Sequence, residues 1–196
     1  MKHWGRKLFH LVGGVGLLSL YFIFGRGTAF DIYGALIVIV LVFEISRLKI
    51  PAWNNFIYTH LGSVIRTNER QKMTGTVPYI LGIGLSLYAY STPVASTAIC
   101  FLAFGDVAAT TIGERFGKTK IGSKSLEGTM AFVVAAVSAG VLLPLAGISI
   151  GYGLVLIGAL VAAGIELLPL PVNDNLAIPL LSGGVMALVA RITGCA

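Results

Sequence analysis

Apolar residues in this chain come in long runs, and polar residues are confined to the short intervals between them. Seven stretches, 8–24, 29–46, 74–91, 93–112, 128–147, 148–169 and 176–193, approach the roughly 20 mostly apolar residues that carry a helix across a bilayer. They predict an all-α polytopic membrane bundle of about seven transmembrane helices. The predicted cytoplasmic loops are 47–73, 113–127 and 170–175. Seven spans consume about 140 residues, so a single integral membrane domain over 1–196 is expected, with its chemistry built from helix ends and loops. The first run has the positive start of a signal peptide. It continues into Gly25-Arg26-Gly27 without a small-residue cleavage site, and is read as retained.

Composition strengthens the membrane reading. The chain is 56% hydrophobic and 11% charged, against roughly 45–50% and 25% in ordinary soluble domains. The charges are also unevenly placed. With the amino terminus cytoplasmic, one side holds Lys2, Arg6, Lys7, Arg47, Lys49, Arg66, Arg70, Lys72, Arg115, Lys118, Lys120 and Lys124, leaving Arg26 and Arg191 opposite. Seven of eight carboxylates, Glu44, Glu69, Asp106, Glu114, Glu127, Glu166 and Asp174, share the basic side, and only Asp31 lies across from them. Acids and bases gathered on one face beside lipid suit a metal-bound anion. Nucleic acid is not the expected partner, because the basic residues are interrupted by apolar spans instead of forming one solvated face. Cys100 and Cys195 make no disulfide framework and are read as packing residues.

Within the first loop, Trp53, Phe56, Ile57, Tyr58, Leu61, Val64 and Ile65 recur at helical spacing and predict an amphipathic helix on the headgroups. The chemistry concentrates further on, from Gly105 to Gly128. Asp106 falls inside an apolar span, where a carboxylate is costly unless paired, metal-bound or facing water. On a helix it shares a face with Ala109, Thr110 and Gly113, small neighbours that leave room for a ligand. Gly113, Gly117 and Gly122 allow close backbone approach, and Lys118, Lys120 and Lys124 can neutralise phosphate oxygens. Pro169 and Pro171 end the sixth span, and Pro179 limits the start of the seventh, placing Asp174 in a tight turn. Helix capping is the alternative use of an Asp there. Ala131, Ala135 and Ala139 read as a packing stripe. Arg6, Lys7 and His10 share one side of the entrance to the first span, and Arg66 with Glu69 forms an i, i+3 pair.

These residues, taken in order, resemble a known family. Gly105-Asp106, Gly113, Phe116-Gly117-Lys118 and Lys124-Ser125-Leu126-Glu127-Gly128 are similar to the signature of CTP-dependent lipid kinases, which include dolichol, phytol and yeast-type diacylglycerol kinases. Arg6-Lys7-Leu8-Phe9-His10, Glu44 with Arg47, Arg66, Glu69, Thr74 and Gly75, and Glu166 with Asp174-Asn175 and Pro179 extend the resemblance over almost the whole chain. It implies an enzyme that moves the terminal phosphate of CTP to the hydroxyl of a membrane lipid alcohol, with Mg2+ as cofactor. In this reading Asp106, Asp174 and Glu127 are catalytic. Asp106 and Asp174 hold the metal, while Glu127 holds a second metal, positions the lysines or accepts the hydroxyl proton. Arg6, Lys7, Gly105, Gly113, Gly117, Lys118, Lys120, Lys124, Ser125 and Asn175 contact nucleotide or phosphate, supported by His10, Glu44, Arg66, Glu69 and Glu166. Phosphatidate cytidylyltransferases share the central stretch and form the rival reading, although their usual carboxy-terminal signature is missing here. A transporter with Asp106 in an ion path is the non-enzymatic alternative.

Overall fold

The computed structural model describes residues 4–62 and 69–194. In chain order the elements are α1 (Trp4–Lys49), α2 (Pro51–Leu61), α3 (Thr76–Ala89), α4 (Thr92–Cys100), a π-helical turn (Phe101–Gly105), α5 (Asp106–Phe116), β1 (Lys120–Ile121), β2 (Lys124–Ser125), α6 (Leu126–Leu142), a 3-10 turn (Leu143–Ala146), α7 (Tyr152–Leu167) and α8 (Asp174–Thr193). The chain divides into two compact units within α3, between Leu81 and Gly82.

In the first unit, α1 covers two predicted spans and the loop between them. Its single break is Gly25, at φ 75° and ψ 169°, a backbone that glycine adopts without a Cβ penalty. The Tyr33 hydroxyl donates to the Leu17 carbonyl at 2.5 Å. In an unbroken helix those positions would stand roughly 24 Å apart, so the halves of α1 fold back on each other as a helical hairpin. The predicted connection of several residues is thus one glycine. Pro51 starts α2, where its missing N–H costs nothing. Along α2, Trp53 and Phe56 stack at 5.6 Å and both are exposed, while Ile57 is buried. Val64 and Ile65, expected to continue this helix, lie outside the described residues.

The second unit is organised around the π-helical turn, whose Phe101, Leu102 and Ala103 are buried. Helix α6 crosses it through Gly128, Phe132, Ala136 and Gly140, a stripe one residue on from the predicted alanines, which are half-buried. The absence of side chains sets these distances. A Cβ on Gly105 would stand 2.7 Å from the Phe132 ring, one on Gly140 2.4 Å from Val155, and one on Gly158 2.5 Å from the Met186 sulfur. Small residues let apolar helices approach closely where no water drives them together. Outward, Met130, Val134, Leu156, Leu160, Leu181 and Leu188 are exposed apolar side chains, as a lipid-facing surface requires.

Among the described residues, four helices are long and apolar enough to cross a membrane: Trp4–Lys49, Thr92–Phe116, Leu126–Ala146 and Asp174–Thr193. Thr76–Ala89 and Tyr152–Leu167 are apolar but shorter. Among the boundaries that move, two bear on the site. The fourth predicted span runs on as helix to Phe116, so its loop begins at Gly117, and α8 begins at Asp174 instead of 176.

Candidate functional site

The polar residues of the second unit meet where β2, α7 and α8 converge. Between α5 and α6 the chain makes a two-residue hairpin, pairing Lys120 with Ser125 and Ile121 with Lys124, around Gly122 at φ 60°. The N–H of Thr119 donates to both carboxylate oxygens of Glu127, at 3.0 and 3.2 Å, and the Leu126 N–H donates to the Thr119 carbonyl. Glu127 thereby ties the loop carrying Lys118 and Lys120 to the start of α6. The N–H groups of Glu127 and Thr119 hold its carboxyl below the ordinary value of 4.5. Lys118 and Lys120 are exposed on the hairpin.

Lys124 points the other way. Its ammonium lies 2.8 Å from Glu166 Oε1 and 2.9 Å from Asp174 Oδ2, and also donates to the Glu166 carbonyl at 2.5 Å. Glu166 is 4% exposed, a burial that an unpaired carboxylate would not tolerate. Burial draws the Lys124 ammonium down, but hydrogen bonds and charge from Glu166 and Asp174 more than offset it and raise its pKa above 10.5. The Asp106 carboxylate, first residue of α5 after the π turn, also acts electrostatically on Glu166. Lys124, Glu166 and Asp174 therefore form one cluster, two carboxylates on an ammonium, with the charge of Asp106 felt at Glu166. A wide turn immediately before a charged side chain is a recurrent feature of functional sites.

Asp174 is not the cap of α8. Asn173 holds that position, and its side chain accepts from the Asn175 N–H at 3.0 Å, leaving the Asp174 carboxylate for Lys124. Asn175 is buried, and a Cβ on Gly82 would fall 2.4 Å from its carbonyl oxygen, so Gly82 packs tightly on the start of α8.

The small-residue face of α5 is covered by α6 at Ala109 and Gly113. A Cβ on Gly128 would come within 2.8 Å of the Ala109 carbonyl and 3.3 Å of the Gly113 Cα. Gly117 leaves no more room: its Cβ would meet the Gly113 carbonyl at 2.3 Å and the Ser125 hydroxyl at 2.6 Å. Ser125 is buried and caps α6, accepting from the Gly128 N–H at 3.2 Å. The structure thus shows Gly113, Gly117, Ser125 and Gly128 as a close crossing of α5 and α6. Gly105 meets Phe132 in the same manner.

The remaining candidates belong to the first unit. Arg6, His10, Glu44 and Glu69 line one cavity with Thr74 and Gly75, and Lys7 is buried nearby on α1. Arg6 pairs with Glu69 at 3.5 Å. Arg66, the partner expected for Glu69, lies outside the described residues. The organising side chain is Arg47, with no exposed surface. Its guanidinium pairs with Glu44 at 2.8 Å and donates to the carbonyls of Glu69, Arg70 and Lys72 and to Asn54. Glu44 in turn accepts from the N–H and hydroxyl of Thr74, both at 3.0 Å. Glu44 and Arg47 stand one helical turn apart inside an apolar run, the one sequence signal for this hub. Nothing in spacing foretold the backbone carbonyls it gathers.

Fold and clusters together define an all-α protein of apolar helices whose charged side chains are drawn into two polar clusters. Comparison with known proteins makes the class specific. The chain is 30% identical over 143 residues to CTP-dependent diacylglycerol kinase 1 of Saccharomyces cerevisiae, covering 68% of this chain and 48% of that one. It is 27% identical to a chloroplastic farnesol kinase of Arabidopsis thaliana, covering 90% and 62%, and 23% identical to a probable chloroplastic phytol kinase of Zea mays, covering 91% and 64%. It spans about half the length of the diacylglycerol kinases it matches. No family model and no solved structure matches. The chain is thus similar to CTP-dependent diacylglycerol kinases and to farnesol and phytol kinases, as its motifs are.

Proposed function

We propose that this protein transfers the terminal phosphate of CTP to the hydroxyl of a membrane lipid alcohol, an isoprenoid alcohol or diacylglycerol, at the cytoplasmic face. The observation that carries the proposal is the Lys124 cluster, an ammonium held between two carboxylates and carried on the same hairpin as the exposed Lys118 and Lys120, in a chain whose relatives are named as kinases. Phosphoryl transfer needs positioning and neutralisation of charge more than covalent chemistry.

In the reaction the bond from the terminal phosphorus to its bridging oxygen breaks, a new bond forms to the lipid oxygen, CDP leaves, and the hydroxyl proton passes to a carboxylate. Lys118 and Lys120, held by Glu127, supply positive charge to the triphosphate from the hairpin. Lys124 contributes a third charge next to Asp174. Asp106 and Asp174 would hold a magnesium ion: both are hard oxygen donors, and Asp174 already accepts an ammonium. Among the described residues no three His, Cys, Asp or Glu side chains converge as a metal site. An ion carried in with nucleotide does not require them, because one or two carboxylates and the phosphates suffice. When bound, magnesium would neutralise charge on the phosphates. With both halves of α1, α3, α4 with α5, α6, α7 and α8 each crossing once, the chain crosses seven times with its amino terminus in the cytoplasm.

The test supplies purified protein in lipid with magnesium, either CTP or ATP, and farnesol, phytol or diacylglycerol in turn. Release of CDP that requires both CTP and an alcohol is expected. Equal use of ATP, or nucleotide turnover indifferent to every alcohol, would overturn the proposal.

A further inference from the structure

The first unit holds a cavity of about 340 Å³ bounded by the two halves of α1 and the segment 69–76. Its lining is of two kinds. Phe9, Val40 and Phe43 form an apolar wall, and Arg6, Glu69, Glu44 and Thr74 form a polar end. At that end each carboxylate meets a guanidinium, Glu69 with Arg6 at 3.5 Å and Glu44 with Arg47 at 2.8 Å, so the charge is balanced. Among the described lining residues no cation is in excess, which disfavours an anionic headgroup. A hydroxyl suits it, because it can donate to a carboxylate and accept from a guanidinium or from Thr74.

We propose that this cavity binds the hydroxyl end of a neutral, long-chain lipid alcohol. The inference rests on the kinase reading and names the site of its acceptor. A cavity of this size is at the lower end for small-molecule pockets, roughly 300–1,000 Å³, and takes the head of a lipid but not its whole chain. Phe9 and Leu61, both exposed at the rim, give the remaining chain an apolar way out. Tyr79 holds the wall in place by donating its hydroxyl to the His10 carbonyl.

The experiment needs no nucleotide. Protein in nanodiscs is irradiated with a diazirine-bearing oleyl alcohol or with the matching oleate, and the crosslinks are mapped by mass spectrometry. The alcohol probe labels peptides carrying Phe9 and Phe43, excess oleyl alcohol displaces it, and oleate labels them at least tenfold less. Val40→Trp, which fills the apolar wall, lowers the labelling at least tenfold, and Leu61→Trp at the rim does so independently if Val40→Trp shifts the melting curve. Equal labelling by alcohol and oleate, labelling elsewhere, or labelling unchanged in both variants overturns the inference. Alcohol labelling of the cavity without CDP release would leave this site standing and remove the kinase reading. Alcohol-dependent CDP release with the cavity unlabelled would do the reverse.

Discussion

Lys124 is the residue on which the proposed chemistry turns. Its ammonium is the partner that lets Glu166 stay buried and the charge nearest Asp174. Removing one preorganised donor that stabilises transition-state charge costs about 10²–10³ in turnover, and unpairing a buried carboxylate costs about 3–5 kcal/mol. Lys124→Ala is therefore expected to lower kcat by about 10²-fold and to lower the melting temperature, read by CDP release and by thermal unfolding in lipid. Full activity with unchanged melting would remove Lys124 from both roles. Glu127 separates positioning from catalysis by pH. Its folded pKa is depressed, so its stabilisation is present above the ordinary value of 4.5 and is lost as pH falls through the lower folded value. The melting difference between the protein and Glu127→Gln should be constant at neutral pH and shrink as the pH is taken below 4.5. A difference that grows on acidification would contradict the Thr119 contacts.

At the scale of elements, the crossing of α5 and α6 is where function and packing meet. A Cβ at Gly117 would stand 2.3 Å from the Gly113 carbonyl and 2.6 Å from the Ser125 hydroxyl, and backbone on one side cannot yield. Gly117→Ala should displace the hairpin that carries Lys118 and Lys120. We expect it to raise the KM for CTP at least tenfold with little change in the KM for the alcohol, measured by steady-state kinetics. An effect on the alcohol alone would detach the hairpin from the nucleotide. This crossing also marks the limit of the sequence reading. Gly113 and Gly117, which spacing assigned to a phosphate cradle, stand in close helix contact; glycine serves both purposes, and a one-dimensional pattern does not record what lies opposite. Asp106 on a helix was legible from its cost in an apolar run. The meeting of Lys124 with Glu166 and Asp174 was legible only through the family motif, since the Lys124–Asp174 pair joins positions 50 residues apart.

For the whole molecule, apolar run length predicted the helices well because a bilayer imposes their length. The same pattern misjudged connections. A single left-handed glycine turns α1 where several loop residues were expected, and α5 persists to Phe116 because its last turns are packed against α6. Orientation rests on the twelve-to-two division of Lys and Arg. Single cysteines replacing Lys118 and Arg26, in a background lacking Cys100 and Cys195, should react with an impermeant maleimide from opposite sides, the first only from the cytoplasm. Labelling of both from one side would refute the seven-span arrangement.

The central claim is that the phosphate, and not the nucleotide, moves to the lipid. CTP labelled with 32P at either the γ or the α position, supplied with farnesol or diacylglycerol, tests this in one extraction. Label entering the organic phase from γ-labelled CTP alone, with CDP left in water, is the predicted result. Label entering from α-labelled CTP, with pyrophosphate released, would contradict it and establish cytidylyl transfer instead.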